Sequence, residues 1–133
     1  MIIGTGIDLL DISRLEKIMQ KHGPRFKSRY FSPHEIETAE ARQKAGTDLL
    51  TFAKRYAAKE ACAKALGTGF IDGIFMKDIE VINDNLGKPS LRLYNGALSR
   101  LNDMTPDGKE VVIHLSLTDE PPYAQAQVII EAL

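Results

Sequence analysis

The sequence contains few of the residues that mark disulfide-rich, metal-stapled or membrane-spanning proteins. Among 133 residues there is one cysteine, Cys62, and there is no tryptophan. A single cysteine cannot form an intrachain disulfide, and three histidines without paired spacing argue against structural zinc. No apolar run approaches the roughly 20 residues of a transmembrane helix, and no signal-peptide pattern opens the chain. We therefore expect a cytoplasmic protein that makes no membrane contact.

The composition is that of an ordinary globular protein. Hydrophobic residues make up 44% of the chain, charged residues 26%, and the net charge is -1. These values exclude a disordered or fibrous chain, and the length predicts a single domain over residues 1–133. The small negative charge argues against bulk nucleic-acid binding, so no nucleic-acid partner is expected.

The hydrophobic periodicity predicts a strand, then helices, then mostly strands. Predicted strands cover 1–8, 78–83, 90–93, 111–118 and 124–131. The first predicted helix begins at a Ser13–Glu16 capping box and ends at Gly23–Pro24. The second runs from Ser32 to about Ala45, and two more cover 50–66 and 97–102. This order is typical of an α+β domain, with a largely antiparallel sheet packed against a long helix.

The predicted helix over 50–66 carries alanine at every fourth position, from Ala53 to Ala65. A row of small side chains lets a helix lie close against a sheet. The first strand carries Gly4 and Gly6, and glycine in a strand permits another backbone to approach closely. The two patterns together predict close packing of this helix on the first strand.

Two acidic residues are candidate metal ligands. Asp8 follows the buried first strand, and Glu60 lies in the alanine-rich helix at the edge of its packed face. Two carboxylates without soft ligands suit Mg²⁺, which keeps waters and takes further ligands from substrate phosphates. Two other interpretations stay open: Asp8 as a turn residue, and a Glu60–Lys64 pair on a solvated face.

Basic residues cluster in two parts of this weakly acidic chain. Residues 42–66 contain six basic residues and two acids, and Arg14, Lys17 and Lys21 share one stripe of the first helix. Basic regions beside a magnesium site favour a polyphosphate substrate and an acidic partner. The alternative is a solvated helix face.

The strand over 111–118 alternates with a period of two, so that His114 and Ser116 share its polar face. An imidazole and hydroxyls on one face can contact a phosphate, whereas a structural histidine is the alternative.

Several segments, in this order, resemble the holo-acyl-carrier-protein synthase family, the short bacterial type of 4′-phosphopantetheinyl transferase. They are the opening Gly4–Asp8, the helix Phe52–Ala61 with Lys64–Gly69, the turn Leu86–Pro89 and the ending Tyr123–Glu131. The helix motif is the most specific of them. The resemblance implies transfer of 4′-phosphopantetheine from coenzyme A to a serine of acyl carrier protein, with release of adenosine 3′,5′-bisphosphate, in fatty acid biosynthesis.

The resemblance also implies roles for individual residues. Asp8 and Glu60 match magnesium ligands, and the family is typically a homotrimer with sites between subunits. The implied substrate-binding set is Arg55, Lys64, Lys88, Pro89, His114 and Ser116, and the implied carrier-docking set is Arg14, Lys17, Lys21 and Arg25. Glu60, Lys64 and His114 form the implied catalytic set.

The hypothesis is a magnesium-assisted displacement at the β-phosphate of coenzyme A. Lys64 would stabilise the charge on the leaving phosphate, and Glu60 or a metal-bound water would take the serine proton. Two other functions stay open: a non-catalytic nucleotide- or RNA-binding module, and a magnesium-dependent hydrolase.

Overall fold

The computed structural model describes residues 1–71 and 73–133. Four helices and five strands are distributed along these residues, in an α+β arrangement. The strands are β1 (Ile2–Asp11), β2 (Ile79–Asn83), β3 (Pro89–Leu93), β4 (Val111–Glu120) and β5 (Tyr123–Ala132). The helices are α1 (Ile12–Tyr30), α2 (Pro33–Glu40), α3 (Asp48–Ala65) and α4 (Asn95–Met104), with a 3-10 turn over Met76–Asp78.

The strands form two antiparallel sheets, which confirms the predicted fold class. The larger sheet has the order β1-β5-β4, and β2 and β3 form a separate hairpin. Asp8 on β1 is paired with Ala126 on β5, which in turn faces Leu117 on β4. Since residues paired across strands share a face, Asp8 lies on the face that packs against α3.

Helix α3 and strand β1 approach so closely that a side chain on the glycines would not fit. A Cβ added to Gly6 would lie 1.9 Å from the Ala61 carbonyl oxygen, and one on Gly4 would lie 2.2 Å from that of Ala65. Ala57 and Ala61 are fully buried in the same interface. The predicted close packing is therefore confirmed, and it places Glu60 next to the C-terminal half of β1.

The predicted beginning of α1 is wrong, whereas the predicted end at Gly23–Pro24 coincides with a kink after which a second helical segment follows. The N-cap is Asp11, whose side chain accepts hydrogen bonds from the Ser13 amide at 2.9 Å and the Ser13 hydroxyl at 2.7 Å. The helix breaks at Gly23, where φ is 45°, and then continues to Tyr30. Pro24 is tolerated because it starts the second segment, where its missing N–H has no helical partner.

Helix α2 is shorter than predicted. Its capping box between Ser32 and Glu35 is confirmed, but the helix ends at Glu40 and a turn continues to Gly46. Residues 42–46 are exposed, so there is no apolar face whose burial would extend the helix.

A buried ion pair joins α2, α3 and the β2–β3 hairpin. The Lys59 amine donates to the Glu35 carboxylate at 2.7 Å, to the Met76 carbonyl at 3.0 Å and to the Ile79 carbonyl. Glu35 also accepts from the amides of Ser32 and Val81. Both side chains are fully buried, so this network fixes the segment around Met76 against α3.

Candidate active site

Asp8, Glu60 and Lys64 line one cavity beside the C-terminal half of β1, which continues past Asp8 to Asp11. The cavity has a volume of about 290 Å³ and is also lined by Leu9, Leu10, Arg14, Leu15, Ile18 and Tyr56. Glu60 and Lys64 lie one helical turn apart, and the short distance between α3 and β1 places them beside Asp8. The structure therefore brings together the residues for which the sequence predicted metal binding and phosphate chemistry.

The Lys64 amine is held against β1 by two contacts. It donates to the Ile7 carbonyl oxygen at 2.9 Å and lies 3.4 Å from the Asp8 carboxylate. The amine remains half-exposed, so it stays accessible to an anionic ligand in the cavity. Its ion pair is with Asp8, and the alternative of a Glu60–Lys64 pair on a solvated face does not describe this arrangement.

The electrostatics of Glu60 reflect two carboxylates in one partly buried site. Burial and the nearby Asp8 charge raise the pKa of Glu60, while Lys64 and the Tyr56 hydroxyl oppose the increase. Burial, with Glu60 as the next cause, raises the pKa of Tyr56 to about 12. The phenol is therefore neutral at physiological pH, and a cation between the carboxylates would relieve their repulsion.

Two carboxylates are too few to enclose a metal ion. Within residues 1–71 and 73–133, no cluster of three or more histidine, cysteine, aspartate or glutamate side chains could hold a metal. Asp8 and Glu60 are hard oxygen donors that line an open cavity. This donor set fits a hydrated Mg²⁺ ion whose remaining ligands come from water and substrate phosphates.

The basic residues of α1 form a groove beside this cavity. The groove has a volume of about 610 Å³, and its basic lining residues are Lys17, Lys21, His22, Arg25 and Arg29. Its apolar and aromatic lining residues are Ile18, Phe26, Tyr30 and Tyr56. Arg14 instead lines the cavity that contains Asp8. Arg29 also lines the groove but was not among the predicted docking residues, because the helix was predicted to end at Gly23–Pro24.

A third cavity, of about 430 Å³, is also lined by Glu60. We call it the aromatic cavity; its lining residues are Arg29, Tyr30, Tyr56, Glu60, Phe70, Ile74, Phe75 and Met76. Tyr56 lines this cavity, the Asp8 cavity and the basic groove. No sequence pattern predicted this cavity, because residues 70–76 show no hydrophobic periodicity.

Arg55, Lys88 and Pro89 lie away from Asp8 and Glu60 in the same chain. Arg55 is 3% exposed, and its guanidinium donates to the Asn83 side chain at 2.8 Å, at the end of β2. Burial, and then the charge of Arg42, lower the pKa of Arg55. Lys88 is exposed in the β2–β3 loop, and Pro89 begins β3.

His114 and Ser116 lie on the sheet face opposite α3. His114 pairs with Ile129 across β5, and its Nε2 atom lies 3.0 Å from the Glu131 carboxylate. Both His114 and Ser116 are exposed. In a single chain these side chains therefore do not reach the cavity of Asp8, and a combined site requires a second copy.

Known proteins of similar sequence and structure identify the family of this chain. The profile of the 4′-phosphopantetheinyl transferase superfamily matches residues 4–115. Holo-[acyl-carrier-protein] synthase from Granulibacter bethesdensis is 53% identical over 133 residues, which cover 100% of this chain and 91% of that protein.

Solved structures give the same assignment. Holo-[acyl-carrier-protein] synthase from Neisseria meningitidis superimposes with a TM-score of 0.81 and 35% identity, covering 98% of this chain and 99% of that chain. The Bacillus anthracis enzyme, solved in complex with CoA (3′,5′-ADP), gives a TM-score of 0.79 and 34% identity over 100% and 99%. The chain therefore belongs to the 4′-phosphopantetheinyl transferase superfamily and, within it, to the holo-[acyl-carrier-protein] synthase family that its sequence motifs predicted.

Proposed function

We propose that this chain transfers the 4′-phosphopantetheine group of coenzyme A to a serine of apo acyl carrier protein in the cytoplasm, with Mg²⁺ bound by Asp8 and Glu60. The serine oxygen forms a bond to the β-phosphorus of coenzyme A, and the bond to adenosine 3′,5′-bisphosphate breaks. The observation that carries this proposal is the convergence of Asp8, Glu60 and Lys64 on one cavity.

Lys64 supports the leaving group. Its amine is anchored by the Ile7 carbonyl and by Asp8, so that its position is fixed before substrate arrives. A fixed cation beside the scissile bond stabilises the charge that develops on the leaving phosphate. The serine proton must also be accepted, and Asp8 and Glu60 are the carboxylates that line this cavity.

The two carboxylates fit a divalent cation because the Asp8 charge raises the cost of a negative charge on Glu60. The Asp8 charge contributes to the raised pKa of Glu60, and a cation held by both side chains reverses this repulsion. When bound, Mg²⁺ would neutralise the diphosphate of coenzyme A and orient it toward the serine.

The basic groove along α1 suits an acidic carrier protein. Lys17, Lys21 and Arg25 line the groove, while Arg14 lies at the neighbouring cavity. A carrier bound in this groove would place its serine near Glu60, because Tyr56 borders both spaces. Attraction between the groove and an acidic surface would accelerate docking in a salt-dependent manner.

We further propose that the enzyme works as a homotrimer. The family resemblance assigns to coenzyme A five residues that lie away from Asp8 in one chain: Arg55, Lys88, Pro89, His114 and Ser116. A neighbouring copy could present them to the cavity, so that each complete site would be shared between two chains. The exposed apolar residues Ile7 and Leu9 lie on the same sheet face as His114 and offer a surface for such assembly.

The alternative of a nucleotide- or RNA-binding module finds no support in the site. Such a module needs no paired acids beside its basic residues, because carboxylates repel phosphates. A hydrolase would instead transfer the phosphopantetheine phosphorus to water and release free 4′-phosphopantetheine, so that no protein serine would be modified.

The deciding experiment is to incubate the protein with coenzyme A, Mg²⁺ and apo carrier protein, and then to weigh the carrier by mass spectrometry. We expect a gain of one phosphopantetheine mass, and its loss when Glu60→Gln replaces the wild type. Free phosphopantetheine without a modified carrier would indicate a hydrolase, and intact coenzyme A would contradict the proposal.

A further inference from the structure

We infer that Lys64 is an internal counterion of Asp8, which opposes a divalent cation at this carboxylate until a phosphate compensates the charge of the amine. The inference rests on the proposed function, because it concerns how the proposed metal site is completed. It gives Lys64 a second role besides support of the leaving phosphate: the amine makes cation binding depend on the phosphates of the donor.

The Lys64 amine and a divalent cation would share one carboxylate. Nζ of Lys64 lies 3.4 Å from Oδ1 of Asp8, and the Asp8 side chain is only 16% exposed. With so little of the carboxylate open, both cations approach it from the same cavity. The amine therefore hinders the divalent cation in two ways, by occupying part of the carboxylate and by like-charge repulsion.

The charged side chains that line this cavity already balance. Asp8 and Glu60 contribute two negative charges, and Arg14 and Lys64 contribute two positive charges. A divalent cation alone would leave positive charge in excess, whereas a divalent cation together with a diphosphate would restore the balance. Because Lys64 has a direct contact with Asp8, its charge acts on this carboxylate at the shortest range.

Lys64 can exchange Asp8 for a phosphate without leaving its place. An ammonium group has three donors, and the shorter contact of Lys64, at 2.9 Å, is with the Ile7 carbonyl oxygen. The Lys64 side chain is 54% exposed, so a phosphate in the cavity can reach the other donors. The Ile7 contact holds the amine in position while its partner changes, and an ion pair of this exposure contributes little to folding.

This competition makes the binding of cation and donor cooperative. A phosphate that accepts from Lys64 weakens its hold on Asp8 and so favours the divalent cation. A divalent cation at Asp8 likewise leaves the Lys64 charge available to the phosphate. Each ligand reduces the cost that opposes the other, and the gain is equal in both directions.

The test measures the binding of Mn²⁺ alone, without coenzyme A, by electron paramagnetic resonance. Lys64→Met and Lys64→Gln both keep an unbranched side chain and remove its charge. We expect either variant to lower the Kd of Mn²⁺ about fivefold, because the cation no longer competes with the amine. Lys64→Arg retains the charge and should stay close to the wild-type Kd.

Lys54→Met is the matched control for the loss of one positive charge. Lys54 lies on the same helix and pairs with Asp119 at 3.3 Å, and neither residue lines the Asp8 cavity. We expect its Mn²⁺ affinity to equal that of the wild type. An equal gain in Lys54→Met would attribute the effect to net charge and would overturn the inference. Asp8→Asn combined with Lys64→Met should lose the gain, since the gain requires the Asp8 carboxylate.

The direction of the change separates competition from a purely structural role. Weaker Mn²⁺ binding by the uncharged variants would show that Lys64 holds Asp8 in place for the cation, and would overturn the inference. Unchanged binding, or no measurable binding by the wild type and both uncharged variants, would overturn it as well, even if the wild type transfers normally. Tighter binding by the uncharged variants, with a wild type that modifies no carrier, would contradict the proposed function alone.

Discussion

Substitution of Gly6 by alanine tests how the fold positions the site. The new Cβ would lie 1.9 Å from the Ala61 carbonyl oxygen and 2.8 Å from the Ala65 amide nitrogen, against 3.4–4 Å for ordinary contact. Because the obstructing atoms belong to the backbone of α3, no change of rotamer removes the clash. The helix must move away from β1 by about 1.5 Å to restore ordinary contact.

This displacement should affect both stability and transfer. Overpacking of a close interface costs about 1–3 kcal/mol, and we expect Gly6→Ala to lie near the upper end because the clash involves backbone. A shift of this size separates Glu60 and Lys64 from Asp8, and a 1 Å misplacement can reduce turnover by about a hundredfold. Urea denaturation and the rate of carrier mass gain measure the two effects on one preparation.

Ser99→Ala is the control, since Ser99 is exposed on α4 and belongs neither to the α3–β1 interface nor to the sheet face proposed for assembly. We expect its free energy of unfolding to stay within about 0.5 kcal/mol of the wild type. A Gly6→Ala protein with wild-type stability and full transfer rate would refute the claim that close α3–β1 packing sets the site.

Three further predictions follow from the buried pair, from the carboxylates and from the groove. Glu35→Gln leaves the Lys59 charge buried without its partner and should lower the free energy of unfolding by about 3–5 kcal/mol in urea denaturation. Replacing both residues, by Glu35→Leu and Lys59→Met, should lower it by less than the single change. An equal or greater loss in the double variant would contradict this. Because the folded pKa of Glu60 is raised, its contribution to stability is present at low pH and is lost as the pH rises through that pKa. Mg²⁺ should therefore raise the Tm more at pH 8 than at pH 5, an effect absent in Glu60→Gln; an equal shift at both pH values would speak against metal binding there. Lys21→Glu should raise the KM for the carrier several-fold at low salt and much less at high salt. Lys109→Glu, at an exposed position before β4, is the control and should leave the KM unchanged. A change in KM that does not depend on salt would argue against electrostatic docking.

The fold class and the central site were predictable because local patterns sufficed for them. The alanine row and the strand glycines predict close approach of α3 and β1 without knowledge of the rest of the chain. That approach alone brings Asp8 near Glu60. The boundaries of α1 and α2 were less predictable, because Asp11 competes with Ser13 as the cap and a glycine–proline pair can interrupt a helix without ending it.

The surroundings of the site depend on contacts distant in sequence. In the sequence, Lys59 is one of several lysines on an alanine-rich helix. Only the fold shows that its amine is buried against Glu35 and the Met76 carbonyl. The aromatic cavity likewise combines side chains of α1 and α3 with Phe70, Ile74, Phe75 and Met76. No periodicity within one segment reveals such a combination.

The most direct test of the central claim is whether Asp8 and Glu60 hold the same ion. Mn²⁺ binding, in the presence of coenzyme A, can be followed by electron paramagnetic resonance for the wild type, Asp8→Asn, Glu60→Gln and the double variant. We predict that either single substitution removes the tight site and that the double variant loses little more. Wild-type Mn²⁺ affinity in either single variant would contradict a shared metal site.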